Sequence, residues 1–513
     1  MARTSGSTAA TASRVPLATI TGVAWALPVT ELIAPGFRWP GGVKELQFWA
    51  KFDDGLERVE FPQSLEVLSF GFRFNRSLEP GWVRWPPRLK RLTLGAKWDR
   101  RLLGARESWP ASLEVLTFGS CFDKPLAGEG VGLPQGLREI SLGGMFDQPL
   151  VGVDWPPLLR KLTLSDNFSQ PLEGVAFPSG LRELIVRRFF NREIDGVAWP
   201  EGLKILRLGA CFNQALVSPD GGVLPGGVRG TAPLGPRNLL PAGLKELYLG
   251  DAFDQPLGAS ELPDGLEVLV LGKSFSRVQS VVWPSGLIRL RLLCTWGISR
   301  SDPRYFGDLP RPQVRLPRKL EFLEVGDTFN SSLTTVAWPP TLKVLLLGEK
   351  FNRPIGWRAG GAELLPDGLV ELRLGAKFDQ RLENVRLPAG LKRLIMCDGC
   401  KFDQPLTGVS WPPSLEELKL GNCFNQSLEG SIFPETLRSL EFGHLFAHSM
   451  QGVALPAGLT NLKFSLVYPR SHVAGLIWPR SLRALYLGPI RSSSREAVLR
   501  TFSSVRQVDV VHE

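Results

Sequence analysis

The chain has 513 residues, a formal net charge of +10 and an apolar fraction of 43%. About two surplus positive charges per hundred residues, with acids and bases interleaved, suit solubility and a mild preference for acidic partners, and argue against a basic nucleic-acid arm. No apolar run approaches the ~18 residues of a membrane span, and the six cysteines (Cys121, Cys211, Cys294, Cys397, Cys400 and Cys423) do not resemble a small disulfide framework, so a reducing, cytoplasmic setting is expected.

Residues 1–14 read as a disordered tail; they are rich in Ser, Thr and Ala, lack acids and carry Arg3 and Arg14, which leaves organelle targeting open. Residues 15–39 read as an N-terminal capping unit. Gly22-Val23-Ala24-Trp25 reappears as Gly196-Val197-Ala198-Trp199 further on, so this stretch is expected to be a degenerate first rung.

From Pro40 onward one segment recurs. Its clearest copy runs from Pro156 to Phe177, with the pattern P-x-x-L-x-x-L-x-L-G-x-x-F-[DN]-Q-P-L-x-G-V-x-[WFL], the proline being position 1. Nineteen units open between Pro40 and Pro479, mostly 22 to 24 residues apart, and a fixed period of that size over residues 40–490 predicts a solenoid. The 54 glycines and 42 prolines therefore punctuate turns and do not signal disorder. Within a unit, leucine at positions 4, 7 and 9 ends in the alternation of a half-buried strand. Glycine at position 10 in thirteen units is expected to serve a bend of positive φ. Only nine residues separate position 13 from the next unit, usually broken by Pro and Gly, so no helix fits there. Strands repeating without reversal must lie parallel, and the aromatic residue at position 13 in eighteen units, counting Phe402 in the unit with a two-residue insertion, predicts a stacked spine. Asp or Asn at position 14 is expected to hydrogen-bond backbone in a structural role.

Insertions fall within residues 217–240, 293–316 and 356–365, most extra chain leaving from one corner of the rung. At the far end, residues 491–513 read as a C-terminal cap containing one short helix, near residues 494–503, behind a serine N-cap.

Phe146-Asp147-Gln148-Pro149-Leu150 and Phe402-Asp403-Gln404-Pro405-Leu406, joined to the leucine pattern, resemble the FNIP-repeat family of leucine-rich-repeat-like proteins. The expected fold is mainly β: a single leucine-rich-repeat-like solenoid of about 19 rungs with a parallel sheet on one face and a short C-terminal capping helix. The resemblance implies an interaction scaffold. Family members sometimes carry an F-box or kinase domain, and the 39 residues before the first unit show neither pattern.

Catalysis finds no support in the residues. The four histidines all follow residue 440, none accompanies a recognisable nucleophile motif, and no phosphate-binding glycine loop occurs. Cys397, Cys400, Cys423 and His444 could be brought together by stacking as zinc ligands, with His448 nearby. However, Cys121 and Cys211 occupy the position of Cys423 with no such partners, so neither metal nor cofactor is expected. The recurring tryptophan before the proline (Trp39, Trp85, Trp109, Trp155, Trp199, Trp283, Trp338, Trp411, Trp478) reads as packing, since seven units carry leucine there.

Position 8 lies between inward leucines and should face outward. It changes from small hydroxylated residues in the early rungs to Arg207, Tyr248, Arg291, Arg373, Lys419, Lys463 and Tyr486, residue types common in binding hot spots. Arg304, Tyr305 and Phe306 in the second insertion could hang beside that surface. The expected function is a non-catalytic scaffold holding a protein of acidic or mixed charge on its concave strand face. The alternatives are a solenoid that binds a polyanion (RNA or a membrane surface) and a purely structural repeat protein.

Overall fold

A computed structural model describes residues 18–20, 23–25, 39 and 42–486, apart from residues 58, 80, 103–108, 219–222, 225–227, 230–236, 259–260, 295–313, 357–363, 466–467, 470–471 and 473–475. The tail at 1–14, the expected helix at 494–503, the position-13 aromatic of the Pro284 unit (Trp296) and the loop residues Arg304, Tyr305 and Phe306 lie outside the described residues. The chain divides into two compact units, Met1–Leu247 and Tyr248–Glu513.

Each of the nineteen repeats contributes one short strand. In the first unit, Glu139–Ser141, Lys161–Thr163, Glu183–Ile185 and Ile205–Arg207 pair in parallel, with Glu139 opposite Lys161, Lys161 opposite Glu183 and Glu183 opposite Ile205. Every partner occupies the same repeat position, so the stack is in register. The second unit repeats this from Val268–Leu271 to Ala484–Tyr486. Among the described residues the 3-10 turns are Val278–Ser280 and Leu333–Thr335, and no longer helix occurs.

Each rung begins with a turn in which the proline carbonyl accepts the N–H of the first leucine, as in Leu159 to Pro156 at 3.1 Å. Proline loses nothing there, because that turn asks it only to accept. The leucines then bury completely. Leu159, Leu162, Leu164, Phe168 and Leu172 are all 0% exposed, and full burial of each such side chain is worth about 1.5–3 kcal/mol. The position-13 rings form the expected spine. Phe122, Phe146, Phe168, Phe190 and Phe212 stack at centroid separations of 5.7, 6.4, 6.1 and 6.1 Å. In the second unit Phe351, Phe378, Phe402 and Phe424 do so at 6.2, 6.1 and 6.0 Å. Phe402 joins although two inserted residues displace it, because Cys400 takes the nominal position 13 and Phe402 still reaches the stack.

Two expectations need correction. Among the described residues, the position-10 glycines do not adopt positive φ. They are needed because the rungs touch: a Cβ on Gly119 would lie 1.7 Å from the carbonyl oxygen of Gly95, and one on Gly143 would lie 1.6 Å from that of Gly119. Most left-handed residues stand at position 19, as Gly152, Gly174 and Gly196 (φ +78°, +73° and +74°), with Asn384 (φ 57°) taking that place in one rung. Asparagine is among the side chains that tolerate this conformation.

The described strands of the N-terminal stretch do not run parallel as those of a rung would. Ala18–Ile20 and Val23–Trp25 form an antiparallel hairpin, and Ala18–Ile20 runs antiparallel to Glu45–Phe48. A reversed strand closes the sheet edge without offering another parallel register. In the first insertion, Val217–Ser218 pairs antiparallel with Arg237–Asn238, and Val223–Leu224 with Val228–Arg229.

Candidate interaction surface

Positions 6 and 8 of every strand project from the sheet away from the leucine core, giving two parallel columns of outward side chains. In the first unit the position-8 column runs Ser69, Thr93, Thr117, Ser141 and Thr163, a row of small hydroxyls, and Thr163 is buried. It ends at Arg207, whose Nε lies 4.0 Å from Glu183.

In the second unit the columns become charged, and the charges answer one another across rungs. Arg291 donates to both carboxylate oxygens of Glu324, at 2.6 and 3.0 Å. That hydrogen bond raises the pKa of the guanidinium further against the opposing effect of burial. Glu371 is only 5% exposed and accepts from Arg373 at 2.5 Å and from Arg393 at 2.5 and 2.8 Å. Burial alone would raise its carboxyl, but the Arg393 and Arg373 hydrogen bonds outweigh burial and hold it below the usual carboxylate value. Lys419 lies between Asp398 at 2.9 Å and Glu441 at 3.3 Å, and Lys463 meets Glu441 at 3.1 Å. Burial works against the Lys419 ammonium, yet its two acidic neighbours raise its pKa.

Between these pairs lie half-buried apolar side chains: Phe322 and Val344 in one column, Leu346 and Ile395 in the other. The Arg289 guanidinium sits over the Phe322 ring, 5.9 Å from its centroid. Tyr248 and Tyr486 are half-buried in the same position-8 row. Sequence reasoning singled out the cations and saw acids such as Glu324, Glu371 and Glu441 interspersed among them, without matching any acid to a cation. Writing the repeats one beneath another would have shown Glu371 beside Arg393.

The cysteines do not form a centre. Cys400 is buried and its Sγ donates to the Phe378 carbonyl at 3.4 Å. Burial pushes its thiol up to about 12 and also raises that of Cys397, so both are protonated at neutral pH. Nε2 of His448 lies 2.9 Å from the Asn425 carbonyl oxygen. Among the described residues, no three His, Cys, Asp or Glu side chains come together as a metal site.

The pre-proline tryptophans form a second, shallower ridge. Trp109 and Trp155 are buried and the others half-buried, with Trp85 stacked on Trp109 at 5.5 Å and Phe177 on Trp199 at 6.3 Å. Beside Trp199, whose indole N–H donates to the Leu239 carbonyl at 2.7 Å, lies a groove of about 590 Å³ that also touches Asp195, Glu201 and Asn238.

Stacked parallel strands, a leucine core and an outward face of paired charges define a leucine-rich-repeat-like solenoid. Among solved structures, the chain is similar to CroV588, described as a novel circular LRR protein, at 26% identity over 94% of this chain and 74% of that one, with a TM-score of 0.60. It also matches an internalin (InlF) from Listeria monocytogenes at 12% identity, over 74% of this chain and 88% of that one, with a TM-score of 0.31, too low to bear on the fold. No curated protein matches the chain in sequence. The FNIP repeat family matches at residues 146–186, 235–274 and 402–445. The chain carries FNIP repeats and is leucine-rich-repeat-like in fold. Among the described residues, no helix is long and apolar enough to cross a membrane.

Proposed function

We propose that the chain is a non-catalytic scaffold that binds a protein partner on the strand face of residues 268–486. One observation carries this reading. The face sets apolar side chains (Phe322, Val344, Leu346, Ile395) among cations already matched by carboxylates. A protein interface combines an apolar centre with polar surroundings in this way. A polyanion would need unmatched cations, and Arg291, Arg373, Lys419 and Lys463 each have an acid within 3.3 Å, so RNA or membrane headgroups are the weaker reading for this face. The partner it suits is of mixed charge. Repeat solenoids of this kind are commonly binding surfaces, which supports the same view.

The test compares affinity purification with the wild-type chain against Leu346→Glu and the double variant Arg291→Glu/Arg373→Glu. Partners recovered by the wild type and lost with both variants support the surface. An unchanged set of partners removes it.

A further inference from the structure

Position 5 forms a third outward column at the entry to the strand, and its charges are ordered differently along the chain. Near the N-terminus it alternates: Lys44 and Lys90 both approach Glu66, at 3.7 and 2.7 Å. In the second unit Lys343 meets Glu321 at 3.0 Å and Lys392 meets Glu416 at 2.8 Å. Between these, five consecutive rungs carry only bases: Arg138, Arg160, Arg182, Lys204 and Lys245. Their backbones are joined in single file, since each N–H from Arg160 to Lys245 donates to the carbonyl of the preceding member at 2.8 Å. Arg138, Arg160 and Arg182 are exposed, and Lys204 is half-buried. Arg182 and Lys204 each donate to one backbone carbonyl, of Gly202 and Gly243 respectively.

The acids at the same repeat position, Glu114 and Glu267, stand only at the two ends of the row. Glu183 is held by Lys161 at 3.0 Å and lies 4.0 Å from Arg207, with Glu139 and Glu201 at the margins. Like charges about 4.8 Å apart on adjacent strands oppose the fold. Elsewhere in the column like charges are kept apart by an opposite charge or by a neutral residue such as Ile288, Val370 or Thr460.

We infer that the Arg138–Lys204 stretch of this column is a docking strip for an acidic, extended segment of a partner protein, distinct from the residues of the strand face proposed above. Guanidinium groups grip carboxylates through paired N–H donors, and rungs about 4.8 Å apart place several such groups along a few residues of extended chain. On the rungs from Arg138 to Lys204 the position-8 row, Ser141, Thr163, Ile185 and Arg207, holds no aromatic ring on which nucleic-acid bases could stack, which favours a polypeptide over a single-stranded nucleic acid.

Fluorescence anisotropy tests this with two probes, a labelled hexaglutamate peptide and a labelled single-stranded thymidine oligonucleotide of similar length. The wild-type chain should bind the peptide more tightly than the oligonucleotide, and more weakly as salt is raised from about 50 to 200 mM. Arg160→Glu/Arg182→Glu should weaken peptide binding at least about tenfold. Lys343→Glu/Lys392→Glu, at the same repeat position elsewhere, should change it less than about twofold, and Leu346→Glu should leave it intact even if the second-unit surface fails its own test. Arg160→Glu alone should hold or raise the urea midpoint, because it inserts an acid between two bases. Absent peptide binding, preference for the oligonucleotide, equal loss in the Lys343/Lys392 control, or a lowered midpoint for Arg160→Glu would each overturn the inference.

Discussion

Oδ1 of Asp123 accepts the backbone N–H of Asp147, one rung later, at 2.9 Å, and the side-chain amide of Gln148 also donates to it at 2.9 Å. The same link joins Asp99 to Asp123, Asp379 to Asp403 and Asp403 to Asn425. The polar half of the F-[DN]-Q-P-L motif is therefore a ladder between rungs, running beside the aromatic spine. Replacing Asp123 by Ala strands two donors and should cost about 1–3 kcal/mol. Asp123→Asn keeps the acceptor and should cost much less, as Asn191, Asn330 and Asn352 already serve in this place. Urea unfolding midpoints of the two variants check the difference.

Phe146 stacks between Phe122 and Phe168 and is wholly buried. Phe146→Ala should destabilise the chain by about 3–5 kcal/mol. Phe146→Leu keeps most of the volume and loses mainly the ring contacts, worth about 0.5–1.5 kcal/mol per pair. Thermal melts of both variants, followed by near-ultraviolet circular dichroism, should keep this order.

Two glycines separate two causes of glycine use. Gly119→Ala drives a methyl into the Gly95 carbonyl and should force the rungs apart. Gly152→Ala meets only the Ala127 methyl at 3.9 Å, so its cost is the left-handed backbone (φ +78°), about 1–2 kcal/mol. Asparagine at residue 152 should recover part of that loss, as Asn384 stands at the matching place, whereas asparagine at residue 119 should recover none. Denaturation midpoints of the four variants distinguish the mechanisms.

Glu371 gives a pH signature. Its folded-state pKa lies below the ordinary value of 4.5, so its stabilisation is complete above that value and is lost as the pH falls through the depressed one. Glu371→Gln should therefore be less stable than wild type at pH 7, and the gap should close on acidification below 4.5. Urea midpoints measured across that range for both proteins check it; a gap of constant size would show that the carboxylate's charge is not involved.

Period, strand, parallel stacking and aromatic spine were legible because each is a property of one repeat read repeatedly: Leu159, Leu162, Leu164 and Phe168 announce their burial by spacing alone. What the sequence hid are relations between columns. Arg291 and Arg373 look like free cations in a linear reading, and only register sets Glu324 opposite the first and Arg393 beside Glu371. The glycines misled for a related reason. Position 10 and position 19 both favour Gly, and nothing in one rung says which answers a backbone angle and which the closeness of the next rung. The hairpin at Ala18–Trp25 shares four residues with a true rung, yet local identity does not determine the strand's direction.

The fold depends on equal repeat positions meeting across adjacent rungs, and engineered disulfides test that most directly. Glu139 and Lys161 are register partners, which puts their Cα atoms within the range of about 4.4–6.8 Å that a disulfide spans. Glu139→Cys/Lys161→Cys should cross-link under mild oxidation, as read by peptide mass mapping, while Glu139→Cys/Thr163→Cys, two residues out of step on the same face, should not. Efficient cross-linking of the offset pair with none for the matched pair would contradict the stacking on which the aromatic spine, the ion-pair columns and the basic strip all rest.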